Sequence, residues 1–243
     1  SQLPLAFWAD AVTYIASAIL IASISVAPIQ RVAHEAAERG AGFLAELLAG
    51  WRFLRGETVL LANTLQATVG QFMLGIFLAL TPVYAKEVID AGGISATVTY
   101  SLIEGAIGAG NLIGGFAIGL VGSRIALGRM VILGYAWTGA CIAALALTGN
   151  LALALGLSFG AGVGNLAFVI PSQTLVQQRT PVEMMGRLLG FRFSLVYGSM
   201  TIAMGVGGIL GAVFGAAPVL GVFGLLTVAA GLAGLLVPAV RDA

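Results

Sequence analysis

The stretch YSLIEGAIGAGNLIGG, residues 100–115, decides how this sequence is read, because it sits in a run from Ile94 to Val121 whose only charged residue is Glu104. Roughly 20 apolar residues at about 1.5 Å rise each match a hydrocarbon layer about 30 Å thick, so a run of this length reads as a bilayer span. A carboxyl group in such a run costs at least about 2.5 kcal/mol to insert, which predicts that Glu104 faces protein or a water-filled cavity.

The rest of the chain repeats that composition. Of 243 residues, 59% are hydrophobic and 9% charged, against roughly 45–50% and about 25% in an ordinary soluble domain. The net charge of +1 is carried by no block of like charges, which removes the usual signature of a nucleic-acid-binding arm. One cysteine, Cys141, lies in an apolar run and is expected to pack there. A single cysteine and a single histidine, His34, assemble no zinc spacing. No Ser/His/Asp or metal constellation is present, so an enzyme is not expected, nor is any cofactor.

Seven candidate spans follow: about 3–28, 58–85, 95–121, 128–148, 151–175, 186–213 and 217–239. The runs are continuous rather than alternating, and lipid forces each backbone to satisfy its own hydrogen bonds, so every span is expected to be a helix. Arg31, Arg39, Arg52, Arg55, Arg124, Arg129, Arg179, Arg187 and Arg241 fall on one side of these spans, and only Lys86 on the other. That asymmetry puts the first linker and the C-terminus in the cytoplasm and Ser1 outside. The expected fold is an all-α, multi-pass membrane protein of seven transmembrane helices. Its organisation is a first helix over residues 1–29, a cytoplasmic linker over 30–57, and a six-helix bundle over 58–243.

Within the linker, Phe43, Leu47, Trp51 and Leu54 recur at helical spacing. They predict a short amphipathic helix, either at the inner headgroup layer with Arg52 and Arg55 near phosphates or as a covered connector. Glycines recur four apart at Gly110 and Gly114, Gly115 and Gly119, Gly160 and Gly164, and along Gly207, Gly211 and Gly215. In lipid such spacing lets helices approach closely. GAGNLIGG and GAGVGN match no phosphate-binding fingerprint and follow no strand.

Polar residues inside the spans are the candidate site. Asn111 lies two turns from Glu104 on the same helix face, and Gln71 falls mid-span, so the three are expected to share one polar surface. A carboxyl group there can take up and release a proton, as a proton-coupled transporter requires. Asp10, in the outer third of the first span, is a second titratable candidate or a helix-packing hydrogen-bonder. Asn165 and Tyr197 are mid-membrane candidates for substrate contact. Arg192, one to two turns into the sixth span, is expected to snorkel to the headgroups.

The loops carry a resemblance. QQRTPVEMMGRLLGFRFSLVYGSM, residues 177–200, resembles a loop and following helix of the major facilitator superfamily, in its branch of macrolide and siderophore exporters, with Thr180, Pro181, Gly186, Arg187 and Arg192 at the matching positions. AFWADAVTYIASAIL resembles the sixth helix of that branch through Asp10 and Tyr14, and AGWRFLRGETVL resembles the linker into the seventh. GLVGSRIALGR is a degraded copy of the family's loop motif, with Ser123 where the family has Asp. The resemblance implies that the chain covers helices six to twelve of a twelve-helix transporter, a piece of something longer whose partner is the missing N-terminal half. It further implies proton-coupled export of amphiphilic small molecules such as drugs or siderophores across the inner membrane, with Arg124, Arg129, Arg187 and Arg192 as gating-loop candidates. Competing readings are a lysolipid or other lipid-like substrate, and a non-transporting seven-helix receptor or scaffold.

Overall fold

A computed structural model describes residues 3–24, 43–236 and 238–241. They fall into two compact units, Ser1–Gly42 and Phe43–Ala243. The first holds α1 (Leu3–Ser23). The expected continuation of this span to residue 28, and the linker residues Arg31, His34 and Arg39, lie outside the described residues.

The second unit runs α2 (Phe43–Gly56), α3 (Thr58–Glu87), α4 (Ala96–Val121), α5 (Leu127–Leu145), α6 (Leu151–Arg179), α7 (Val182–Phe214) and α8 (Ala216–Ala233), then a 3-10 turn and the short α9 (Pro238–Arg241). Helices α3 to α8 are long and apolar enough to cross a membrane, and α1 contributes a shorter apolar helix, Phe7–Ser23. The all-α reading holds: among the described residues the only β-type pairing is an isolated bridge between Asp90 and Asn150.

Local chemistry sets the helix ends. Ser95 Oγ accepts from the Val98 N–H at the start of α4, and Asn150 Oδ1 from the Leu153 N–H at the start of α6, each satisfying one of the orphan donors of a first turn. Helix α7 begins at Val182, earlier than the expected residue 186. Thr180 is extended and ends α6, its hydroxyl donating to the Val176 carbonyl at 2.6 Å. Pro181 then leads directly into α7, where its missing N–H costs nothing. Helix α5 ends at Leu145 rather than 148, since residues 146–148 form tight i→i−3 turns.

Neighbours in space are mostly not neighbours in sequence: α4 packs on α6, α6 on α5, α5 on α8, α8 on α3, and α3 on α7. One core cluster, around Ile76, Leu80, Tyr84, Cys141, Leu145 and Leu220, fills the end carrying the 88–95 loop. Cys141 is buried in it, as expected of a packing residue. At the other end, Leu54 of α2 joins Leu60, Val176 and Leu188. Trp51 and Leu54 of the α2 stripe therefore lie against the bundle, the Trp51 ring tilted against that of Phe191 with centroids 5.6 Å apart.

The α4–α6 crossing shows how the helices close. A Cβ on Gly110 would strike the Phe159 carbonyl oxygen, and one on Gly162 the Ile107 carbonyl oxygen. Backbone thus meets backbone, as small residues allow in lipid. Two expected packing glycines behave differently: Gly119 meets nothing within 4 Å, and Gly215 sits at φ +84° as the single residue between α7 and α8. A left-handed junction of that kind favours glycine over a packing role.

Two neighbouring glycines on α4 test this. Gly108 faces open space, so Gly108→Ala is expected to be neutral or stabilising by up to about 1 kcal/mol. Gly110→Ala must push α4 off α6 and is expected to cost about 1–3 kcal/mol. Denaturant titration of the detergent-solubilised protein measures both.

Candidate functional site: a polar track through the bundle

Three helices meet at the arginine-rich end around one buried cation. Arg192 of α7 is only 3% exposed. Its Nη2 donates to Ser172 Oγ of α6 at 2.7 Å, the Ser172 hydroxyl donates to Asn63 Oδ1 of α3 at 2.8 Å, and Asn63 Nδ2 returns to the Ser172 carbonyl at 3.0 Å. The expectation that Arg192 snorkels outward is therefore corrected. Hydrogen bonds from a charged donor are strong in a low-dielectric setting, and a serine able to accept and donate at once holds the side chain inside. Nη1 of Arg192 has no hydrogen-bond partner among the described residues.

The network borders a cleft of about 70 Å³ between α3, α6 and α7, lined in part by Gln71, Gln173, Arg192 and Tyr197. Tyr197 is 53% exposed, with its ring 5.8 Å from that of Phe193. A second cavity of about 120 Å³ joins Gln71 to Asn165. Asn165 Nδ2 in turn donates to Asn111 Oδ1 of α4 at 3.1 Å. Four of the expected site residues, Gln71, Asn111, Asn165 and Tyr197, are thus linked through bonds or shared cavities, and Arg192 joins them.

Glu104 stands on the Asn111 face of α4, two turns away. It is half-buried, and its Oε1 is buried without a hydrogen-bond partner among the described residues. At about 1.5 Å per residue it sits some 7 Å from the midpoint of α4, toward the Ala96 end. Track and network together give the bundle a polar line: Arg192 near one end, the amides in the middle, the carboxyl toward the other.

Arg124, Arg129 and Arg187 line neither of the two cavities, and Asp10 belongs to the first unit. Asp10 is exposed on α1, where Thr13 Oγ1 donates to its backbone carbonyl at 2.7 Å. Arg124 is exposed in the 3-10 turn Gly122–Arg124, Arg129 is exposed in the first turn of α5, and Arg187 is half-buried in the first turns of α7. The Arg187 carbonyl is close enough to α2 that only a glycine fits opposite it, at Gly50.

Sequence reasoning missed Asn63, Ser172 and Gln173. Asn63 was available: an amide inside an apolar run needs a partner. Ser172 gives no such signal, because serine is common in transmembrane helices, where it bonds its own preceding turn.

Six helices among the described residues, long and apolar enough to cross a bilayer and with small residues at their crossings, define a multi-pass membrane protein. The sequence pattern of the Major Facilitator Superfamily matches residues 2–191, and the chain belongs to that superfamily of membrane transporters, which carry small-molecule substrates. No curated protein and no solved structure matches the chain.

Removing the hinge of the network measures its worth. Ser172→Ala leaves Nη2 of Arg192 and Oδ1 of Asn63 unpaired and is expected to destabilise the bundle by about 2–3 kcal/mol. Ser194→Ala removes only an exposed bond to the Gly190 carbonyl and is expected to cost less than about 0.5 kcal/mol. Unfolding of the two variants in detergent gives the comparison.

Proposed function

We propose that this chain is the C-terminal portion of a secondary active exporter that moves amphiphilic small molecules against protons. It works with the five preceding helices that complete the N-terminal half in the inner membrane. The observation that carries this reading is Glu104: a carboxyl group in a membrane span, with a buried, unpartnered oxygen, on the same face of α4 as the Asn111–Asn165 pair. A structural acid between helices is held by donors. An acid with a buried oxygen left without a donor among the described residues is suited to exchange a proton as its surroundings wet and dry.

In this mechanism the carboxyl is neutral while the site is dry and charged once water enters, so its protonation is linked to which side is open. Gln71, Asn111, Asn165 and Tyr197 line the substrate route. Arg124, Arg129 and Arg187 act at the gating end, which faces the cytoplasm together with the C-terminus. Asp10 on α1 is the second candidate for the coupling proton. The need for a partner half is supported by α4 and α7, each with only 17% of its apolar window buried, against 50% for α5. Export, rather than import, is supported by the resemblance of residues 177–200 to the macrolide and siderophore exporters.

Two measurements test the proposal. Glu104→Gln keeps the shape and hydrogen-bonding capacity and removes the titration. Co-expressed with the N-terminal half, this variant is expected to reach the membrane at normal abundance, still bind substrate, and lose uphill transport driven by a pH gradient while keeping downhill exchange. Wild-type uphill transport would move the proton site elsewhere. For orientation, a cysteine at Arg124 or Arg179 is expected to react only from the cytoplasmic side and one at Glu87 only from outside, read by impermeant maleimide labelling.

A further inference from the structure

The charge of Arg192 is unbalanced. It is nearly fully buried, it keeps its proton at any physiological pH, and no acidic side chain among the described residues pairs with it. A buried charge without a counter-charge costs several kcal/mol. The network around it holds one edge of the guanidinium: Ser172 takes Nη2, and Asn63 fixes Ser172. Nη1 is left unbonded in a residue that forms the wall of the cleft. Holding one edge and leaving the other buried but unpaired beside the cleft presents the guanidinium as a pre-oriented fork, the geometry that matches a carboxylate.

The cleft supplies the rest of a site. Its volume of about 70 Å³ exceeds the roughly 10–15 Å³ that one water needs by the same measure, so a carboxylate-sized group fits. Gln71, Gln173 and Tyr197 offer further donors at its edge, while Phe168 and Phe193 give it apolar walls. It leads along Gln71 into the second cavity, which is lined mainly by apolar side chains.

We propose that this cleft is an anion subsite that binds the carboxylate of an amphiphilic carboxylic acid through Arg192, with the apolar body of the ligand lying toward Phe168 and Gln71. Asn63 and Ser172 are positioning residues: they aim the guanidinium and do not touch the ligand. The inference rests on reading the bundle as a substrate-handling part of a transporter and names the chemical class of substrate.

The test is equilibrium binding of tritiated 4-phenylbutyrate to the full chain in phosphatidylcholine nanodiscs. Saturable binding is expected, with 4-phenylbutanol competing at least tenfold more weakly; equal competition by the alcohol overturns the proposal. Arg192→Gln is expected to lower affinity at least tenfold, with Arg192→Lys falling between it and the wild type, and an unchanged affinity in Arg192→Gln also overturns it. Should either variant fail to fold, the double variant Gln173→Ala/Tyr197→Phe, outside the Asn63 network, decides: at least fivefold weaker binding supports the site and unaltered binding refutes it. Replacing a quarter of the lipid with phosphatidylglycerol is expected to leave the affinity unchanged, whereas a tenfold loss assigns the cleft to a lipid headgroup and overturns the substrate assignment. Because binding is read without transport, loss of binding in an active exporter sinks only the subsite, and loss of transport with binding intact sinks only the exporter reading.

Discussion

Close backbone contact at glycine is the constraint on which this bundle depends. Lipid tails are as apolar as leucine, so burying apolar surface gives two helices little reason to associate, and dispersion contacts and interhelical hydrogen bonds have to suffice. Dispersion falls off steeply with distance. Helices therefore gain most where nothing separates their backbones, as at Gly110 and Gly162 between α4 and α6, and at Gly139 and Gly224 between α5 and α8. Each crossing also sets the distance at which longer side chains meet, and only at that distance can Asn165 reach Asn111.

Polar groups supply the second part of the adhesion. At the arginine-rich end, Asn63, Ser172 and Arg192 bond three helices into one unit. At the opposite end, Tyr84 of α3 donates to the carbonyls of Leu145 and Thr148, and the Asp90 N–H donates to the Gly149 carbonyl. Between these ties Asn165 bonds Asn111, Tyr135 donates to the Gln66 carbonyl and Ser199 to the Thr68 carbonyl, while Oε1 of Glu104 has no hydrogen-bond partner among the described residues. The ties therefore run along the whole bundle, and Glu104 is the acid in it with an oxygen left to exchange partners.

The helices were legible in the sequence because hydrocarbon imposes a length and a composition on anything that crosses it. Their ends were less so: Val182 to Met185 read as loop, yet Pro181 starts a helix that no hydropathy window detects. The polar track was legible in its members but not in its connections. Gln71, Asn111, Asn165 and Tyr197 stand out as polar residues in apolar runs, whereas the partner of each depends on which helices touch, and a linear pattern does not encode that α4 meets α6 instead of α5. Arg192 shows the limit most clearly. Its depth in the span suits snorkelling and burial equally, and the choice is made by a serine on another helix.

That interleaved packing has a consequence for how the chain is made. Helix α3 finds its main partner only when α7 arrives, and α4 has to wait for α6. Asn63 and Ser172 are separated by 109 residues, which at roughly 5–20 residues per second is about 5 to 20 s of synthesis. For that interval an amide destined for a buried network is already in the membrane without its acceptor or donor. The early helices must therefore be apolar enough to remain inserted alone, and the long runs around Asn63 and Glu104, free of any charge but Glu104 itself, meet that demand of biosynthesis as much as any demand of the finished fold.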